Sequence, residues 1–148
     1  MNNKHKLGSV LQLFISKIDE KKHIPQEFIS IDEEGIIGDK FYNKNNERAI
    51  LLSSIRAYEL MKEKDISSSF GALGENILVD FNPYDLEEGT QLSIGNTILQ
   101  ITIECTICDL LTKINNKVPK LLKKDRGVFA KVIQKGTITN GEEITILN

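Results

Sequence analysis

Leu92-Ser93-Ile94-Gly95-Asn96-Thr97-Ile98-Leu99-Gln100-Ile101-Thr102-Ile103-Glu104-Cys105-Thr106-Ile107-Cys108 is the stretch on which the fold turns. Leu92 and Ile94 alternate with Ser93, Gly95-Asn96 makes a turn, and Leu99, Ile101 and Ile103 alternate with Gln100 and Thr102. A period of two places the apolar side chains on one face of a pleated hairpin, so that face is expected to be buried. The alternation then runs into both cysteines of the protein, three residues apart, ahead of one or two helical turns expected over Asp109 to Asn115. Thiolate is the nucleophilic and metal-binding form of cysteine, and a helix N-terminus lowers the thiol pKa. A thiol at such a junction is placed for chemistry. The competing reading makes Cys105 and Cys108 small buried hydrophobes, as free cysteines usually are.

Working outward, Val10 to Ile15, Glu27 to Ile31, Ala49 to Leu52, Ile77 to Val79, Val128 to Ile133 and Glu143 to Ile146 read as further strands, rich in branched residues. Ser53 or Ser54 can cap a helix whose core stripe is Ile55, Tyr58 and Met61. Lys17 to His23 reads as a charged connection, with Pro25 limiting what precedes it. Gly35-Ile36-Ile37-Gly38-Asp39 and Phe70-Gly71-Ala72-Leu73-Gly74-Glu75-Asn76 are glycine-bracketed loops, and Glu75 and Asn76 must each find a partner if buried. Asn140-Gly141 reads as a hairpin turn, because both residues tolerate positive φ. Lys117, Lys120, Lys123 and Lys124 read as a solvated basic face.

Seven or eight short strands without regular intervening long helices argue against a doubly wound sheet. They point to a mostly β fold, a closed or nearly closed β-barrel with two or three short helices, in which closure removes exposed edges. At 148 residues the chain is expected to form one domain over residues 1–148. With 40% hydrophobic and 27% charged residues it is globular rather than disordered.

A formal net charge of −2 gives no basic excess, so no nucleic-acid partner is expected. Only 6% of residues are aromatic and tryptophan is absent, which weakens any base-stacking platform. Leu7 to Ile15 follows Lys4, His5 and Lys6, but Ser9 and Gln12 interrupt it and no small-residue cleavage site follows. No run approaches the roughly 20 apolar residues that span a bilayer. A cytoplasmic protein without a membrane partner is expected, its two cysteines in a reducing compartment.

A zinc site would need His5 and His23 to join the two cysteines from a tail and a linker, which would be forced. Cys105-Thr106-Ile107-Cys108 supports a redox dithiol better, although the β-rich surroundings lack a βαβ unit. No phosphate-binding Gly-x-x-x-x-Gly-Lys motif occurs, and no serine or histidine arrangement for a hydrolase is visible.

The order of motifs is more informative than any one of them. Gly35-Ile36-Ile37-Gly38-Asp39, Arg48-Ala49-Ile50-Leu51-Leu52, Gly74-Glu75-Asn76-Ile77, Leu92-Ser93-Ile94-Gly95, Cys108 with Leu111, Arg126-Gly127-Val128-Phe129-Ala130-Lys131-Val132 with Gly136, and Asn140-Gly141-Glu142 follow one another in this chain. The series resembles the MOSC domain, named for the C-terminal domain of molybdenum cofactor sulfurase, from about Val10 to Leu147. Small stand-alone bacterial members look most alike, including those with a Glu-Cys pair such as Glu104-Cys105. The resemblance implies a MOSC-type β-barrel that binds molybdenum cofactor (molybdopterin) or carries sulfur for it.

By the same resemblance Cys108 is the key residue, as molybdenum ligand or persulfide carrier. Cys105 is the second candidate catalytic thiol, and relatives reduce N-hydroxylated substrates such as amidoximes. Asp39, Arg48, Glu75, Asn76, Arg126 and Gly127 match the family's cofactor-binding pattern. The chemistry agrees, since soft thiolate suits molybdenum and sulfane sulfur, and an arginine fork grips phosphate bidentately. Two departures stand out: Phe41 and Tyr42 occupy ground where the family often carries a histidine, and Ile107 stands where a proline commonly precedes the cysteine. Three functions remain open: a molybdenum-dependent reductase, a sulfur (persulfide) carrier in cofactor maturation, in which Cys105 resolves Cys108, and a non-catalytic cofactor-binding barrel. A reductase would need an electron-donor partner, and a sulfur carrier a cofactor-biosynthesis protein.

Overall fold

The structure is a computed structural model that describes residues 5–17, 23–104 and 114–147. In chain order the strands are β1 (His5–Ser16), β2 (His23–Gln26), β3 (Phe28–Asp32), β4 (Gly35–Ile36), β5 (Ile50–Ser54), β6 (Ile77–Val79), β7 (Gln91–Ile94), β8 (Thr97–Glu104), β9 (Val128–Gln134), β10 (Gly136–Thr139) and β11 (Glu143–Leu147). Helix α1 (Ile55–Glu63) joins β5 to β6, helix α2 (Val118–Leu121) precedes β9, and single 3₁₀ turns occupy Asn46–Arg48 and Pro83–Asp85.

Seven strands close on themselves in the order β11-β7-β8-β9-β5-β6-β1, with β1 pairing back to β11. All neighbours are antiparallel except β5 and β6, which run parallel because α1 carries the chain back between them. The expected hairpin is present, with Leu92 opposite Leu99 and Ile94 opposite Thr97. Alternation fills the barrel: Leu13, Ile50, Leu52, Ile77, Leu92, Leu99, Val128 and Ile144 are all buried in one core. Val10 and Leu13 both face inward although three apart, since a bulge in β1 resets the register between Val10 and Gln12 and turns Leu11 outward.

Outside the barrel, Phe14 and Leu78 point away from that core and meet Ala57, Tyr58 and Met61 of α1 and Val118 and Leu122 of the α2 segment. Ser54 is the residue that caps α1, its hydroxyl accepting from Arg56 N at 2.9 Å. A second, three-stranded sheet in the order β10-β3-β4 sends Ile29, Ile31, Ile36 and Ile138 into the barrel core. No helix among the described residues is long and apolar enough to cross a membrane.

Three sequence expectations change, and a fourth falls outside the described residues. Eleven strands among the described residues replace seven or eight. His23 opens β2, paired with Ser16 on β1, instead of ending a linker; Pro25 is tolerated because β2 lies at the end of its sheet, where a missing donor costs least. Asn140-Gly141 is a turn, with Gly141 at φ +85°, but β10 and β11 do not pair. It instead carries the chain from the small sheet into the barrel. The helix expected over Asp109 to Asn115 lies almost wholly outside the described residues.

The start of β6 is fixed by one side chain. Asn76 Oδ1 accepts from Leu51 N at 3.0 Å, and its Nδ2 donates to Phe14 O at 3.3 Å. The Asn76 main chain repeats the bridge, its N–H donating to Leu51 O and its carbonyl accepting from Phe14 N, both at 2.8 Å. Asn76→Ala would leave a buried donor and a buried acceptor unpaired, each worth about 1–3 kcal/mol. A loss of about 2–4 kcal/mol in unfolding free energy is expected, read from the urea midpoint; an unchanged midpoint would contradict the bridge.

Candidate functional site

The six cofactor residues expected from sequence fall into three places. Asp39 and Asn76 form one buried knot. Asp39 Oδ1 accepts from Ser16 N at 2.7 Å and from Asn76 Nδ2 at 3.4 Å, while Oδ2 accepts from Phe41 N at 3.1 Å. These groups tie the end of β1 to the loop after β4 and to the start of β6. Both side chains are buried and bond within the protein.

Glu75 is fully buried on the other side of the knot. Its Oε2 accepts from Tyr58 Oη–H at 2.6 Å and Gly71 N at 3.2 Å, and Tyr58 Oη in turn accepts from Gly71 N and Leu73 N. Oε1 has no partner among the described residues. Burial pushes the Glu75 carboxyl above its ordinary range, against the pull of those hydrogen bonds. Burial and the adjacent carboxyl push the Tyr58 phenol upward as well. This pair holds the loop of residues 71–74 onto α1.

Arg48 stands on the exposed outer face, its guanidinium 5.6 Å from the Phe129 ring centre. The 3₁₀ turn that carries it is held by Thr102 Oγ1 donating to Glu47 O and by a Glu47–Lys131 ion pair at 3.7 Å.

Arg126 and Gly127 occupy the third place, where β8 ends and β9 begins. Arg48 precedes Ile50, which pairs with Ala130, and its guanidinium lies over Phe129, three residues beyond Arg126 in the chain. Gly127 is dictated by packing, since a methyl there would be driven into the Leu52 carbonyl oxygen. Arg126 Nη2 donates to Pro119 O at 2.6 Å, which ties the guanidinium to α2. Its Nε is buried with no acceptor among the described residues. Asn82 fixes the loop from the other side, donating to Lys124 O at 3.1 Å and Asp125 Oδ1 at 3.3 Å.

Two residues that sequence reasoning missed complete this place. Tyr84 lies near the Glu104 carboxylate, which raises the phenol above its ordinary value while Arg126 nearby opposes the rise. Glu104 is the last described residue before Cys105 and pairs with Val128 across β8 and β9. The Asn82-Pro83 signature of the 3₁₀ turn, with Asn82 Oδ1 accepting from Tyr84 N at 3.1 Å, was readable locally, but the reach from residue 84 to residue 104 was not. Cys105 and Cys108 lie outside the described residues.

His23 is a third missed residue. It is half-buried near Asp39, Lys40 and the Gly74 backbone; burial pushes the imidazole below its ordinary value, and Asp39 partly offsets this. Among the described residues, no three His, Cys, Asp or Glu side chains converge as a metal cage.

Comparison with known proteins places this architecture. The MOSC domain family model matches residues 39–145, which include both cysteines and all six residues just located. The chain belongs to the MOSC domain family. Among solved structures, the YuaD protein of Bacillus subtilis superposes with a TM-score of 0.85 at 17% identity, covering 99% of this chain and 98% of that one. YiiM of Geobacillus stearothermophilus gives 0.78 at 15% identity over 96% of this chain and 76% of its own. YiiM of Escherichia coli gives 0.72 at 16% identity over 96% and 70%. At these identities the likeness speaks for the fold. Among curated protein sequences none matches this chain.

The Glu75 geometry fixes a sign. With its folded value raised, Glu75 contributes stability that is fully present below its unfolded pKa of about 4.3 and is lost as pH rises through the folded value. Glu75→Gln keeps the shape but cannot ionise. Urea unfolding from pH 5 to 8 should therefore show a flatter pH dependence in the variant than in the native chain; parallel profiles would show that Glu75 does not titrate in this way.

Proposed function

We propose that this chain binds molybdenum cofactor at the β8–β9 end of the barrel, with Cys108 as the metal's protein ligand and Arg126 as anchor for the cofactor's phosphate, and that it reduces N-hydroxylated substrates. The observation that carries the reading is a preorganised, partly buried guanidinium whose Nε has no acceptor among the described residues, at the strand end from which the chain enters the cysteine pair, in a MOSC-family chain. A buried N–H without an acceptor is costly, and an anion in that place would satisfy it.

The fit of the other residues is uneven. Gly127 keeps the backbone beside Arg126 free of a side chain, although the space a methyl would take is filled by β5. Asp39 and Asn76 are buried and bonded to the backbone of three segments, so in this reading they hold the scaffold. Glu75 likewise serves the loop of residues 71–74. Arg48, exposed with its guanidinium over Phe129, is free to meet an outlying part of a ligand. The soft sulfur of a thiolate suits molybdenum, and the bound cofactor supplies a metal that stores and releases the two electrons an N–O bond requires.

The substrate balance is simple: an N-hydroxyl group takes up two electrons and two protons and leaves as the N–H compound plus water. In this chain Glu104, near Tyr84, sits at the strand end that leads to Cys105. Cys105 remains available in this reading to form a disulfide that would silence Cys108.

Protein purified from a cofactor-producing host tests the reading by elemental analysis. Close to one molybdenum per chain is expected, with at least a tenfold loss in Cys108→Ser and in Arg126→Ala, and partial retention in Arg126→Lys, which keeps the charge but not the fork. Native molybdenum content in Cys108→Ser would overturn the ligand assignment.

A further inference from the structure

We propose that the lysine surface of the α2 segment, continuous with Arg126, is the docking face for an acidic electron-donor protein. This inference rests on the reductase reading above, because that reaction consumes two electrons and the sequence carries no recognisable flavin, haem or iron–sulfur motif to supply them.

Charge is segregated in this chain. Residues 117–126 hold Lys117, Lys120, Lys123, Lys124 and Arg126 against Asp125, a local charge of +4 in a chain of net charge −2, so the remainder carries −6. A solvated basic face would account for exposure alone, but three features go beyond it. Val118 and Leu122, four residues apart, are both fully buried against α1, which turns Lys120, Lys123 and Lys124 to the opposite, exposed side. None of the four lysines forms an ion pair among the described residues, where the two pairs present are Arg56–Glu63 and Lys131–Glu47.

The surface is also rigidly joined to the site. Pro119 O accepts from Arg126, and Lys124 O accepts from Asn82 of the turn that carries Tyr84. A donor seated on these lysines would stand against the residues that face the cysteine-bearing end of β8.

The partner's chemistry follows from what the surface lacks. A nucleic-acid site would interleave aromatic side chains, and residues 117–126 contain none. A membrane-binding helix would expose large apolar residues beside the lysines, whereas Val118 and Leu122 point inward and Leu121 is half-buried. A small, strongly positive patch on an otherwise acidic protein matches an acidic protein surface, which it would attract while the rest of the chain repels. Each reduced iron–sulfur donor delivers one electron, so two dockings, with two protons taken from solvent, reduce one N–OH group to N–H and water.

The variant Lys120→Glu/Lys123→Glu/Lys124→Glu leaves Cys108 and Arg126 untouched. Its binding to an acidic [2Fe–2S] ferredoxin is measured by calorimetry at low and at physiological salt, beside turnover of benzamidoxime driven by dithionite. At low salt, at least tenfold weaker ferredoxin binding in the variant is expected, with loss of most of the salt dependence and unchanged dithionite-driven turnover. Equal binding by both proteins, or no ferredoxin complex with the native chain, overturns the docking face. So does lysine-dependent binding to phosphatidylglycerol vesicles or duplex DNA with ferredoxin bound no more tightly than by the variant. Absence of dithionite-driven turnover in the native protein would instead remove the reductase reading, while the calorimetric arm still decides the surface.

Discussion

The barrel depends on a single amide side chain where three segments meet. β6 has only three residues and lies parallel to β5, a pairing that no tight turn can enforce. Asn76 supplies the missing definition by bonding to Leu51 on one side and Phe14 on the other, through both main chain and side chain. Asp39 extends the same knot to Ser16 at the end of β1. A buried polar network of this kind specifies one register, because any slip would strand several desolvated groups at once. The loop of residues 71–74 and α1 are then held by Tyr58 and Glu75, one residue away.

The knot and the place around Arg126 differ in kind. In the knot, buried polar side chains are bonded to the backbone, and the result is rigidity. Around Arg126, the guanidinium is fixed by a carbonyl but keeps a donor with no acceptor among the described residues. Positioned charge with spare hydrogen-bonding capacity is what a binding site requires, and rigid support is what makes it specific. Tyr84 and Glu104 lie in this place, near enough for the carboxylate to raise the phenol.

Much of the barrel was legible because its signals are local. The hairpin around Gly95-Asn96 follows from period-two alternation, Ser54 from the chemistry of helix caps, and Ile77 to Val79 from an apolar run between turn residues. What escaped was non-local. β2 was hidden by charge and Pro25, and the small sheet forms only because β10 crosses to β3, more than a hundred residues away in sequence. Asn140-Gly141 correctly signalled a turn, but a dipeptide cannot say which sheet receives the next strand. For the candidate residues, sequence order grouped Asp39, Glu75 and Asn76 with Arg126 but could not show that the first three are buried in hydrogen bonds to neighbouring segments, because the partners Ser16, Tyr58 and Phe14 lie 17 to 62 residues away.

The account comes down to a bond between one sulfur and one metal. X-ray absorption at the molybdenum edge, on cofactor-loaded native protein and on Cys108→Ser, reads that bond directly. The account predicts one fewer sulfur neighbour around molybdenum in whatever metal the variant retains. An identical sulfur shell in both proteins would contradict it.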